Sequence, residues 1–270
     1  MRQFWFFILA GCMISSGAAA GERLTAFVSI PPQKYLVERV GGDRVQVHVM
    51  LKPGQAPETY DPAPRQMAQL ATAQIYFRIG VPFERRWIKT IAGQNPGLQV
   101  VECCAQMVRD GDPHTWVDPN NARAMAAQIK EVLSRRLPEG ATSIAANYAA
   151  LAADLEQLDR DILTILNNRR TDYFIVSHSG WRYFADAYGL RQLALDDNGR
   201  EKGPRGLADL VTLARREGIR TVFIQAQHPT GAAYTLAREL DAAAVTIDNL
   251  AEDYIDNLYQ VSKLIAGALQ

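Results

Sequence analysis

From residue 24 onward, short runs of apolar and β-branched residues alternate with stretches whose apolar positions recur at helical spacing. Leu24–Ile30, Val45–Leu51, Ile75–Ile79 and Gln99–Val101 read as strands, and so do Tyr173–Val176, Leu193–Leu195, Thr221–Ile224 and Ala244–Ile247. Several are almost continuously apolar, the pattern of strands covered on both faces. Helical spacing runs through Gln33–Val40, Pro64–Leu70, Trp181–Tyr188, Leu207–Glu217 and Ala232–Leu240, and Gly189 and Gly218 follow two of these as C-terminal stops. Strand and helix in alternation predict parallel α/β sheets.

The rhythm breaks between Asn121 and Asn168, where no strand signal occurs and Pro138 with Gly140 divides two helices. In the second helix Ile144, Tyr148, Leu151, Leu155, Leu158, Ile162 and Ile165 fall four and three apart, which makes one apolar stripe. Four strands precede this region and four follow it. The expected architecture is therefore α/β in two lobes, each a four-stranded, mostly parallel sheet flanked by helices, joined by one long rigid helix. The boundaries are residues 21–143, 144–169 and 170–270, and the cleft between lobes is the expected binding site.

The N-terminus carries a different signal. Met1-Arg2-Gln3, an apolar run from Phe4 to Ile14 and the small residues through Ala20 have the layout of a secretory signal peptide over 1–20. The run is shorter than the roughly 20 apolar residues that span a bilayer. Leu9-Ala10-Gly11-Cys12 offers a second route, a lipid anchor at Cys12. Either way the chain is exported, with the periplasm as the expected compartment. Of three cysteines, Cys103 and Cys104 remain after the leader; neighbours in sequence do not suit a disulfide, so they read as small, partly buried thiols. Twenty-nine basic residues balance 29 acidic ones, which argues against nucleic acid as a partner.

Chemistry concentrates in a few loops. Only four histidines occur, and two lie in segments suited to present them: Asp112-Pro113-His114-Thr115-Trp116, and Val176-Ser177-His178-Ser179-Gly180 at the end of a buried strand. Ligands of open α/β sheets collect at strand carboxyl ends. Glu58, in the loop Pro53 to Pro62, and Asp248, ending the last strand, occupy similar places. Two imidazoles and two carboxylates suit zinc at about 2.0–2.2 Å per bond, and also manganese. On spacing alone, a structural histidine and a solvated or capping carboxylate are equally good accounts, because no local metal signature such as H-E-x-x-H is present.

Six ordered segments nevertheless resemble one family. Ile30-Pro31-Pro32-Gln33 with Val40-Gly41-Gly42-Asp43 is similar to its opening, and Pro53-Gly54 through Tyr60-Asp61-Pro62 to its P-G-x-x-P-H-x-Y-E-P loop. Gly80 to Glu84 resembles its G-x-x-F-E turn, Asp112 to Trp116 its D-P-H-x-W, His178 with Tyr183-Phe184 and Tyr188-Gly189-Leu190 its H-x-x-x-x-Y-F…Y-G-L block, and Asp248 with Leu250 its D-x-L. The chain thus resembles the periplasmic solute-binding proteins of zinc and manganese ABC importers, the ZnuA-like group. The resemblance implies a monomeric, non-enzymatic carrier of Zn(2+), with Mn(2+) as the alternative, that serves an ABC permease in the inner membrane. It implies metal ligands at Glu58, His114, His178 and Asp248. Glu58 stands where zinc members usually have histidine, Glu102–Gly111 is short and lacks the histidine-rich loop, and Gln225 replaces a common Glu.

Three rival readings stand beside this one. A metallohydrolase needs an open metal position beside a general base, and no such constellation stands out. A clamshell binder of a siderophore or corrinoid wants a wide aromatic or Arg-lined cleft. A surface adhesin role goes with the lipid-anchor route. His48, alternating with Val47 and Val49, is expected at the surface, His228 in a solvated loop near the cleft with an auxiliary ligand role as the alternative, and Trp116, Trp181 and Tyr183 in packing.

Overall fold

The computed structural model describes residues 23–270 apart from 198, 199 and 229. The expected leader at 1–20 and Cys12 lie outside the described residues. The first lobe runs β1 (Leu24–Val28), α1 (Pro31–Gly41), β2 (Val45–Val49), α2 (Pro64–Leu70), β3 (Ile75–Arg78), α3 (Pro82–Gln94) and β4 (Gln99–Glu102). Two helices follow, α4 (Pro119–Arg136) and α5 (Ala141–Leu166). The second lobe runs β5 (Tyr173–Val176), α6 (Arg182–Ala187), β6 (Arg191–Ala194), the short pair β7 (Asp196–Asp197) and β8 (Arg200–Glu201), and α7 (Pro204–Arg216). It closes with β9 (Thr221–Gln225), α8 (Gly231–Glu239), β10 (Ala243–Ile247) and α9 (Tyr254–Ala268).

Local chemistry explains many of these boundaries. α1, α2, α3, α4 and α7 each carry proline in the first turn, where its missing N–H costs nothing and its fixed φ suits a helix. Gly189 and Gly218 adopt φ of +66° and +68° just past α6 and α7, as the sequence predicted. The helices α3 and α9 and the β7–β8 hairpin extend the sequence-based reading.

Both main sheets are wholly parallel, and their orders are β2-β1-β3-β4 and β10-β9-β5-β6. Numbered within its own lobe, each is 2-1-3-4. No repeat is evident in the residues, so the correspondence lies in topology alone.

The stripe expected in the middle of the chain is buried: Ile144, Leu151, Leu155, Leu158 and Ile162 of α5 are at most 3 % exposed. Each such side chain stabilises the fold by about 1.5–3 kcal/mol relative to exposure. The helix starts at Ala141 rather than 144, directly after the Pro138–Gly140 turn, and ends at Leu166. One continuous core contains β1 and β3 side chains, this stripe, and Phe174, Phe184 and Leu258 of the second lobe. A smaller core of Leu210, Val222, Ile224 and Leu236 covers the other side of the second sheet.

Hydrogen bonds sew the lobes together around the cleft. Trp116 Nε1 donates to the Asn249 carbonyl (2.6 Å), and Tyr254 OH donates to the Trp116 carbonyl (2.6 Å). Tyr183 OH donates to the Asp112 carbonyl (3.0 Å) and accepts from the Arg109 N–H (2.7 Å). At the rim, Arg182 pairs with Asp110 at 2.7 Å and Lys34 pairs with Glu252.

Candidate metal centre

The loops after strand ends in both lobes meet at one point. Glu58 comes from the loop after β2 and His114 from the segment after β4, at the edge of a short 3-10 turn, Thr115–Val117. His178 follows β5 directly. Among the described residues, Glu58, His114 and His178 each offer a ligand atom within 4.8 Å of the other two. His178 Nε2 and Glu58 Oε1 are 3.8 Å apart. The His114 and His178 rings meet edge to face, with centroids 5.4 Å apart. His114 is 4 % exposed and His178 fully buried.

Each histidine is oriented from behind by a carboxylate. His114 Nδ1 donates to Asp112 Oδ1 (2.7 Å), which also accepts the His114 backbone N–H (3.0 Å). His178 Nδ1 donates to both oxygens of Asp196 (2.9 and 3.0 Å). An ionised carboxylate only accepts, so the proton sits on Nδ1 and the Nε2 lone pair faces the site. His178 Nε2 is buried with no hydrogen-bond partner, and so is Glu58 Oε2. Buried polar atoms left in this condition are costly unless something else satisfies them.

Glu58 is ionised. Burial alone would raise its carboxyl, but contact with His228, a backbone N–H and the fields of His178 and His228 outweigh that and bring it down to about 2. Asp112 is likewise held below its ordinary value: burial opposes this, and the hydrogen bonds and field of His114 prevail.

Asp248 stands outside the group of three. Its Oδ1 accepts from Gln227 Nε2 (2.7 Å) and from the Leu250 N–H (2.7 Å), and Asn257 Nδ2 donates to its backbone carbonyl. It lines a small interlobe cavity of about 70 Å³ together with Pro53, Gly54, Gln55 and Gln227.

The other two histidines depart from expectation. His48 is partly buried and stacks on Phe27 across the β1–β2 register, with centroids 5.0 Å apart. His228 is not solvated: its side chain is 15 % exposed and its Nε2 lies 3.3 Å from Glu58 Oε2. Its ring stacks on that of His178 at 4.1 Å and 15°. Sequence reasoning assigned no role to Asp112 or Asp196. Asp112 had a local signal, a carboxylate two residues before His114. Asp196 had none, because only the pairing of β5 with β6 carries it behind His178.

Gly180 fits here because nothing larger does. A Cβ at this position would come within 2.6 Å of Asn249 Nδ2, 3.0 Å of Gln225 Oε1 and 3.4 Å of the His114 ring. Gln225 is 2 % exposed and its Oε1 lacks a hydrogen-bond partner. Trp116, Trp181 and Tyr183 are fully or almost fully buried around the site. Cys103 and Cys104 are free and buried. Burial drives both thiols up, Cys104 to about 11, where Thr115 opposes the rise. Cys104 Sγ donates to the Ile79 carbonyl (2.8 Å). Protonated thiols of this kind are poor ligands and poor nucleophiles.

Known proteins match the whole assembly. Residues 27–268 match the model of the family described as zinc-uptake complex component A, periplasmic. The manganese-binding lipoprotein MntA of Halalkalibacterium halodurans is 26 % identical over 99 % of this chain and 98 % of its own length. The high-affinity zinc uptake system protein ZnuA of Paracoccus denitrificans is 25 % identical over 82 % of both chains. A crystal structure of ZnuA, 32 % identical, superposes with a TM-score of 0.88 over 92 % of this chain and all of the other.

Proposed function

The chain belongs to the ZnuA family of periplasmic zinc-uptake components, and from that premise we propose that it captures Zn(2+) between its lobes and delivers the ion to an ABC import permease in the inner membrane. The observation that carries this reading is the convergence of Glu58, His114 and His178 within 4.8 Å of one another, from both lobes. His114 and His178 supply neutral nitrogen through Nε2, and Glu58 supplies charged oxygen. Asp248 is assigned as the fourth donor, brought inward from the end of β10 as the ion binds. Asp112 and Asp196 fix the imidazoles and raise their basicity, as outer carboxylates do in metal sites.

A donor set of two nitrogens and two oxygens is borderline, and manganese is the competing cargo. Nothing in this arrangement calls for chemistry on the ion. A closed four-donor site has no open position for a substrate, which separates a carrier from a metallohydrolase. The family and the leader-like N-terminus support the periplasm as the compartment. Among the described residues no helix is long and apolar enough to cross a membrane.

Two measurements test the proposal. Native mass spectrometry of the purified protein should show one bare divalent ion, and a bound siderophore or corrinoid would overturn the reading. Competitive calorimetric titration of wild type, Glu58→Ala and His178→Ala should show both variants weakened for zinc. Unchanged binding in both would remove the site.

A further inference from the structure

The Glu58 carboxylate faces an imidazole of the opposite lobe that the proposed ligand set leaves out. His228 lies in the turn after β9, fixed by a bond from its N–H to the Gln225 carbonyl (2.9 Å). Stacking on His178 holds its ring parallel to that of a proposed ligand. In this pose its Nε2 lies 3.3 Å from Glu58 Oε2, while Glu58 Oε1 faces His178 Nε2 at 3.8 Å. The two carboxylate oxygens therefore have different neighbours. Oε1 is turned toward His178, and Oε2 toward His228. Both Glu58 Oε2 and His228 Nε2 are buried, and they approach without hydrogen-bond alignment.

We propose that His228 is a positioning residue for Glu58: as the ion binds, the 3.3 Å approach closes into a hydrogen bond from His228 Nε2 to Oε2, so that the carboxylate meets the metal through Oε1 alone, and zinc is thereby favoured over manganese. The inference rests on the metal-carrier reading above. Its logic is coordination number. Zinc is content with four donors in a tetrahedron, whereas manganese favours more oxygen donors in an octahedral shell. A carboxylate free to bind through both oxygens raises the donor count and suits manganese. Tying one oxygen to an imidazole N–H keeps the count at four.

The test compares wild type with His228→Leu, which keeps apolar bulk against His178 but lacks a donor, and His228→Gln, whose amide can still donate. Zinc and manganese affinities come from competitive titration, coordination from the visible spectrum of the Co(II)-loaded proteins, and folding from thermal melts of the metal-free proteins. His228→Leu should lower the ratio of zinc to manganese affinity about tenfold or more, the range typical of residues that orient metal ligands. Its cobalt bands should weaken as coordination expands. His228→Gln should recover most of the ratio and the strong four-coordinate bands. An unchanged ratio in His228→Leu overturns the proposal. So does His228→Gln failing as badly as His228→Leu, which would mark His228 as a ligand itself. If wild type binds no divalent ion, the carrier reading falls first; if it binds zinc and the variants keep its ratio, only the role of His228 falls.

Discussion

Replacing Asp196 by Asn tests how the site makes a ligand out of a fully buried histidine. Asp196 is 7 % exposed and sets two oxygens 2.9 and 3.0 Å from His178 Nδ1. A hydrogen bond to a charged group contributes about 1.5–3 kcal/mol. Outer carboxylates of metal-bound histidines contribute about 10–100-fold in affinity, which is roughly 1.4–2.8 kcal/mol. The two ranges agree. Asn keeps one acceptor oxygen and loses the charge, so zinc affinity should fall about tenfold, at the low end of that range. Asp196→Ala also frees the imidazole to rotate or to change tautomer, and the loss should approach about a hundredfold. Competitive calorimetry against a chelator of known zinc affinity reads both, with thermal melts confirming that the metal-free variants fold. If both variants bind zinc within about twofold of wild type, the Nδ1–Asp196 bonds do not determine the ligand, contrary to the expectation for such partners.

Four further outcomes follow from the same geometry. Zinc affinity should fall as pH is lowered, because ligation needs neutral imidazoles and protons compete with the ion for them; titrations in buffers of different ionisation enthalpy count the protons released. In the metal-free protein the carboxyl of Glu58 is lowered from 4.5 to about 2, so its ionisation favours the folded state above 4.5 and that contribution fades as pH falls toward about 2; acid unfolding of Glu58→Gln should be less steep across this window than that of wild type. Gly180→Ala drives a methyl into Asn249, Gln225 and the His114 ring, and should cost about 1–3 kcal/mol in urea unfolding as well as weaken zinc binding. Trp116→Phe leaves the Asn249 carbonyl without its 2.6 Å donor across the lobes, and should destabilise the protein by about 1–3 kcal/mol.

Much of this molecule was legible before any coordinates. Short apolar or alternating runs located all eight strands of the two main sheets; β1, β3, β5 and β9 stood out most, because a strand buried on both faces has little polar content to confuse the pattern. The four-three spacing from Ile144 to Ile165 located α5. The starts of α1, α5, α7 and α8 lie earlier than expected, each at or directly after a proline or glycine. Less legible were features that depend on register. Asp196 reaches His178 only because β6 lies beside β5, and nothing near residue 196 announces it. His228 looked like a loop residue, since its burial comes from stacking on a histidine 50 positions away in sequence. His48 sat on the polar side of an alternating strand, yet a parallel neighbour placed Phe27 against it. Asp248 was found at the correct strand end, but its oxygens answer first to Gln227 and Leu250.

The single core that runs through α5 into both lobes governs how the cargo leaves. A helix of 26 residues is about 39 Å long and anchors each half along its length. Wide parting of the halves would strip apolar side chains along that whole rod, so thermal motion alone opens only the loops at its open edge. On the carrier reading, exchange of the ion should then proceed by movement of those loops, with the two halves keeping their relation along the rod.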